Sequence, residues 1–208
     1  IMLNALYKDI DWKSVTTVGF DMDGTLYDEY DFIKQVYSEI NRKLIQNENV
    51  LSFMLNRWIE KGSSYPYIFD EAYEKCKNIS YEQEDFTQKA LGIFRNYTPV
   101  LFLSERNKTL LLYFQRNFKL FLVTDGCHEL QKKKFMSLKL SKYFDERYVV
   151  FTGEYAPDYH KPNTKSLEFI DLNLDRSVFF GDRDKDEEFA LSSNMQFKRV
   201  SNMIEVRL

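Results

Sequence analysis

The feature that most narrows the fold is a repeated junction, in which a short apolar run stops abruptly at a polar signature. Val15 to Phe20 runs into Asp21-Met22-Asp23-Gly24-Thr25, and Leu120 to Val123 stops at Thr124-Asp125-Gly126. Ser177 to Phe180 runs into Gly181-Asp182, while Tyr148 to Phe151 and Gln196 to Val200 read as two further strands. Segments of helical period separate them: Glu105 to Asn117, Leu130 to Leu138, Lys185 to Ser192, and a stretch with Leu167, Ile170 and Leu174 on one face. Continuous apolar strands alternating with helices predict a parallel sheet covered on both faces, an α/β Rossmann-like core.

The stretch from about Glu29 to Tyr97 breaks this alternation. Ile33, Val36, Tyr37, Ile40 and Leu44 fall at helical spacing, as do Leu51, Met54, Leu55, Trp58 and Ile59, and then Phe86, Ala90, Ile93, Phe94 and Tyr97. A further helix is expected from Tyr67 through Cys76. Four helices with no strand between them predict an inserted helical lobe. The expected organisation is therefore an α/β core over 1–27 and 101–208 with a helical cap over 28–100. Trp58 and Tyr73 read as core residues between the cap helices.

Composition excludes several partners. Twenty-nine basic against thirty-two acidic residues give a net charge of −3, which offers no electrostatic footprint for nucleic acid or an acidic membrane. No apolar run approaches the roughly 20 residues that span a bilayer. The start, IMLNALYKDID, carries acids and lacks the pattern of a secretory signal, so a cytoplasmic protein is expected. Cys76 and Cys127 match no zinc spacing and read as free thiols, Cys127 as a small buried apolar residue.

In parallel α/β sheets, ligands bind beyond the carboxyl ends of the strands. Those ends carry Asp21 and Asp23, then Thr124, then Lys161 at the end of a loop, then Asp182 with Asp186. Carboxylates converging there repel one another and lose hydration, so they call for a compensating cation. Oxygen-only ligands with room for water favour Mg²⁺. Beside the ion, the Thr124 hydroxyl, the backbone N–H groups of Asp125 and Gly126 and the Lys161 ammonium form a site for phosphate, with Asp21 placed as nucleophile. Neighbouring carboxylates are expected to push the Asp23 carboxyl upward. Asp184 and Glu187 are expected to face solvent.

These residues carry a family resemblance. DMDGT (21–25), VTDG (123–126), Lys161-Pro162 and GDRDKD (181–186) resemble, in order and in strand context, the four motifs of the haloacid dehalogenase superfamily of phosphohydrolases. The resemblance implies that Asp21 attacks the substrate phosphorus to form an aspartyl-phosphate. It implies that Asp23 protonates the leaving alkoxide and then deprotonates water, and that Thr124 and Lys161 hold the phosphoryl oxygens. Mg²⁺ would be bound by Asp182, the Asp21 carboxylate and the Asp23 carbonyl, with Asp186 supporting its water shell. The substrate would be a small phosphorylated metabolite: a sugar phosphate, phosphoglycolate or a nucleotide.

The inserted lobe resembles a cap that closes over this superfamily's active site, and its turn at Lys61-Gly62-Ser63-Ser64-Tyr65 makes Lys61, Ser64 and Tyr65 candidates for contact with the leaving group. Phosphosugar mutases of the superfamily carry an arginine where Tyr65 stands and a histidine near Asp31, which is absent here, so a phosphosugar mutase stands as an alternative that these positions disfavour. The rival from another class is a catalytically quiet regulatory or binding protein on the same fold. Possession of all four motifs counts against it.

Overall fold

The computed structural model describes residues 2–77 and 79–207. A short helix, α1 (Met2–Leu6), precedes β1 (Thr17–Phe20). Helices α2 (Glu29–Ile40), α3 (Glu48–Lys61), α4 (Ile68–Lys75) and α5 (Gln83–Asn96) follow. Alternation then resumes with α6 (Glu105–Asn117), β2 (Lys119–Thr124), α7 (His128–Ser137), β3 (Val149–Phe151), β4 (Ser177–Gly181), α8 (Asp184–Ser192), β5 (Gln196–Ser201) and β6 (Ile204–Glu205). The chain divides into two compact units, Ile1–Glu29 with Leu101–Leu208, and Tyr30–Val100.

The first unit is built on one sheet of order β3-β2-β1-β4-β5-β6. Strands β1 to β5 run parallel, and only β6 is antiparallel, against β5. β1 and β4 are buried along their whole length, as the unbroken apolar runs require. On one face, Phe20 and Phe180 stack at 5.3 Å and Phe114 of α6 meets Phe180 edge-on at 5.6 Å, with Tyr7 and Trp12 closing the cluster. On the other, Phe121, Val123, Val150 and Phe179 pack with Phe189 and Ala190 of α8. Buried aromatic pairs of this geometry add to the area they remove from water.

One expected helix is absent. The segment carrying Leu167, Ile170 and Leu174 forms a single 3-10 turn, Lys165–Phe169, and continues without regular structure. Its apolar residues still reach the core, where Leu167, Ile170, Leu172 and Leu174 join the Phe121 cluster. A 3-10 turn also brings residues i and i+3 to one side, so the spacing recorded burial and not α-helical hydrogen bonding. α1 and β6 were not expected, because elements this short display no period. They are held by tertiary pairing, with the Tyr7 hydroxyl donating to the Met203 carbonyl at 2.9 Å.

The second unit contains the remaining helices. α2 continues as a π-helical turn, Asn41–Ile45, before α3 begins at a cap in which the Asn47 side chain accepts from the N–H groups of Asn49 and Val50. Arg57 of α3 grips Glu71 of α4 through two hydrogen bonds of 2.7 and 2.9 Å. Phe69, Ala72, Phe86 and Ala90 are buried. Among the described residues, no helix is long and apolar enough to cross a membrane.

Candidate active site

The strand order decides which signatures meet. β1 pairs with β2 on one side and β4 on the other, so the chain changes direction across the sheet at β1/β4, the kind of switch point where ligand crevices form. Asp21 directly follows β1, and its N–H still donates to Phe180 of β4 at 2.9 Å. Asp182 directly follows β4, and Asp186 lies in the first turn of α8. Carboxylate oxygens of Asp21, Asp182 and Asp186 all lie within 4.8 Å of one another.

One lysine enters this acidic space. Lys161 Nζ donates at 2.7 Å to both Asp21 Oδ1 and Asp186 Oδ1, and its side chain is fully buried. Burial alone would weaken its charge, but Asp21, Asp186 and Asp125 outweigh that and raise its pKa. Burial also drives the Asp21 carboxyl well above the ordinary range, with Lys161 opposing and Asp186 and Asp182 adding to the rise. Asp182 is pushed up to about 6, by burial first and then, against Arg183, by Asp186 and Glu29. Its Oδ1 is buried with no hydrogen-bond partner. Three carboxylates and one ammonium leave two formal negative charges, and that balance together with an orphaned oxygen and an all-oxygen donor set fits a hard divalent cation.

Local backbone makes the approach possible. Gly24 has φ +75, and a Cβ there would stand 2.4 Å from Asp182 Oδ2. Only glycine lets the loop after β1 turn and pass against the neighbouring carboxylate.

The residues expected to bind phosphate, Thr124 to Gly126, lie at the end of β2 and just beyond it, on the other side of β1. Thr124 ends β2 and is buried. The Asp125 side chain is occupied in holding the loops together: it accepts from the Thr152 hydroxyl at 2.7 Å, the Lys161 N–H at 3.2 Å and Lys185 Nζ at 2.7 Å. Burial would raise its carboxyl, but the charges of Lys161 and Lys185 and the hydrogen bonds from Lys185 and Thr152 lower it overall. Cys127, expected to be buried, is exposed. It is the N-cap residue of α7, whose backbone carbonyl receives Gln131 N–H, and this geometry turns its side chain outward.

Asp23 corrects another expectation. Burial does push its carboxyl upward, but the Lys134 charge and hydrogen bonds from Lys134, Tyr27 and Gln131 reverse the effect, so its pKa is lowered. Lys134 Nζ stands 2.8 Å from Oδ1, the Tyr27 hydroxyl 2.5 Å from the same oxygen, and Gln131 Nε2 2.6 Å from Oδ2. These partners escaped the sequence reading. No local signal could have found them, because that Gln131 and Lys134 occupy buried positions of α7 is known only once the helix is seated on the sheet. Arg183, given no role, donates to Glu29 at 3.1 Å beside Asp182. Asp184 is fully exposed at its side chain, and with Glu187 it pairs with Arg199.

Lys61, Ser64 and Tyr65 lie in the helical unit, Lys61 as the last residue of α3 and Ser64 and Tyr65 in the connection from α3 to α4. Lys61 is exposed at the end of α3. Ser64 and Tyr65 line a cavity of 230 Å³ with Ile33, Tyr37 and Phe94. The Tyr65 hydroxyl is already engaged, 2.5 Å from Glu71 Oε1.

An α/β protein with an acidic cluster at the carboxyl ends of adjacent parallel strands has the layout of the open α/β sheets that bind ligands beyond those ends. The chain is more particularly a member of the haloacid dehalogenase-like hydrolases, whose family model matches residues 18–200. A glyceraldehyde 3-phosphate phosphatase of Methanocaldococcus jannaschii is 26% identical over 198 residues, spanning 87% of this chain and 82% of that protein. Among solved structures, a candidate β-phosphoglucomutase from Thermotoga maritima superposes with a TM-score of 0.65 at 21% identity, covering 89% of this chain and 85% of its own. A superfamily hydrolase of subfamily IA from Geobacter sulfurreducens gives 0.63 at 17% identity, covering 89% and 87%.

Proposed function

We propose that the chain is a Mg²⁺-dependent phosphatase of small phosphomonoesters that works through an aspartyl-phosphate on Asp21. The observation that carries this reading is the gathering of Asp21, Asp182 and Asp186 around Lys161, two charges short of neutrality and with Asp182 Oδ1 unpartnered. Asp21, Asp182 and the Asp23 carbonyl would hold the ion, with Asp186 behind them. When bound, Mg²⁺ supplies charge neutralisation at the phosphoryl oxygens.

The chain's own residues divide the remaining work. The Asp21 carboxylate attacks phosphorus, and the ester oxygen leaves with its bonding pair. Thr124, Lys161 and the N–H groups of Asp125 and Gly126 orient the three phosphoryl oxygens. To act as acid, Asp23 must first take up a proton against the Lys134, Tyr27 and Gln131 contacts that lower its pKa; it then passes that proton to the departing alkoxide and, once charged again, takes one from the water that hydrolyses the aspartyl-phosphate. The Lys134 ammonium stabilises the charged half of that cycle.

The helical unit serves in this reading as the cap, with Lys61, Ser64 and Tyr65 selecting the substrate. The M. jannaschii relative supports a small phosphorylated carbon compound, of triose-phosphate size or similar, as the substrate class. Hydrolysis of p-nitrophenyl phosphate with Mg²⁺ tests the core of the proposal. Activity is expected to vanish in EDTA and to fall by at least about 10³-fold in Asp21→Asn. Turnover that survives either change overturns it. A panel of phosphorylated metabolites compared between the wild type and a Lys61→Ala/Tyr65→Phe variant tests the cap assignment, which an unchanged profile would remove.

A further inference from the structure

Gln131 is one of the most buried polar side chains of the α/β unit, at 2% exposure, and on its helix it shares burial with Lys134, whereas Glu129 and Lys132 are exposed. Its Nε2 donates at 2.6 Å to Asp23 Oδ2 and at 2.7 Å to Thr124 Oγ1. An amide nitrogen has two hydrogens and accepts nothing, so both are spent. The Thr124 oxygen therefore receives a hydrogen from Gln131 and cannot return its own along the same line. Its single O–H is left to point elsewhere.

We propose that Gln131 is a positioning residue that fixes the Thr124 hydroxyl as a donor toward the phosphoryl group. The inference rests on the reading above, in which Thr124 holds a phosphoryl oxygen. The amide has one stable orientation, because turning it over would set Gln131 Oε1 against a carboxylate oxygen of Asp23, two acceptors with no hydrogen between them. The Asp23 carboxylate is itself held through its other oxygen by Lys134 at 2.8 Å and Tyr27 at 2.5 Å. Orientation thus passes from Lys134 and Tyr27 to Asp23, then to Gln131, then to Thr124. The loop is shaped to this amide: Gly126 has φ +116, and a Cβ there would lie 3.3 Å from Gln131 Cδ.

The experiment is calorimetric binding of inorganic phosphate to the Mg²⁺-loaded wild type, Gln131→Met, Thr124→Val and the double variant, with thermal unfolding of each as a check of folding. Each single change is expected to weaken phosphate binding by about 10-fold. The double variant should bind no more weakly than Thr124→Val alone, because the Gln131 effect travels through the missing hydroxyl. Losses that multiply to about 100-fold, or a folded Gln131→Met that binds as wild type does, overturn the proposal. Gln131→Glu is a second probe: its carboxylate would draw the Thr124 hydrogen toward itself, so binding should fall at least as far as in Gln131→Met, and wild-type affinity there also overturns it. Wild-type protein that takes up no phosphate overturns the underlying functional reading, whereas wild-type binding with multiplicative losses overturns the Gln131 role alone.

Discussion

Lys161 Nζ lies 2.7 Å from Asp21 Oδ1 and 2.7 Å from Asp186 Oδ1, so a single buried ammonium joins the end of β1 to the first turn of α8. Removing one member of such a group strands the others without compensation, at a cost of about 3–5 kcal/mol. Lys161→Met should therefore lower the urea midpoint markedly at neutral pH. Mg²⁺ should restore part of the loss, because it replaces the missing positive charge. Phosphatase activity should fall by at least about 100-fold even when the ion is saturating, since the phosphoryl-oxygen contact proposed for Lys161 would be gone. Equal midpoints for variant and wild type without Mg²⁺ would show that the lysine does not balance these acids.

Asp182→Asn is expected to act in opposite directions on stability and function. The folded carboxyl titrates near 6 against an ordinary value of 3.8, so the folded state keeps a proton that the unfolded chain gives up. Stability without metal thus declines as pH rises from about 4 to 6 and stays reduced above that. Asparagine removes this penalty, and the metal-free variant should gain about 1–3 kcal/mol at pH 7.5. Its stabilisation by Mg²⁺ should largely disappear. Denaturation curves with and without the ion measure both effects.

Mg²⁺ affinity should depend steeply on pH. Ions bind the deprotonated ligands, so each proton displaced costs up to about tenfold in affinity per pH unit below the ligand's pKa. With Asp182 near 6 and Asp21 raised by burial in the absence of metal, titration calorimetry at pH 5, 6 and 7 should show binding strengthen progressively, with proton release. A flat profile would mean that these carboxyls do not hold the ion.

Lys134→Met tests the opposite linkage. Asp23 is lowered below its ordinary 3.8 by partners that exist only in the fold, so its contribution is present at neutral pH and lost as pH falls through the lowered folded value. The variant should be destabilised at pH 7, by about 3–5 kcal/mol for a broken buried pair. The gap from wild type should narrow on acidification. Parallel stability curves from pH 7 to pH 3 would contradict the assignment of Lys134 as the stabilising partner.

How much was legible follows from the range of each signal. The apolar runs of β1, β2 and β4 and the polar residues that end them are local, and they pointed to Asp21, Thr124 and Asp182 without any knowledge of sheet order. Gln131 and Lys134 were invisible because the group they serve, Asp23, lies 108 and 111 residues away. The sign of the Asp23 shift was misjudged for the same reason: adjacent carboxylates can be read along the chain, and a distant ammonium cannot. Leu167 and Ile170 show the converse error, where spacing revealed burial but the backbone adopted a tighter turn.

Amino-acid order alone determined the chemistry at each strand end and the α/β alternation that carries it, since both follow from neighbouring residues and short periods. Only the tertiary structure decided that β4 would lie beside β1, that Lys161 would bridge Asp21 and Asp186, and that α7 would turn an amide and an ammonium onto Asp23. Those pairings depend on strand order and on helices seated against the sheet. They are settled by burial and charge compensation across the whole unit, which no local stretch of chain contains.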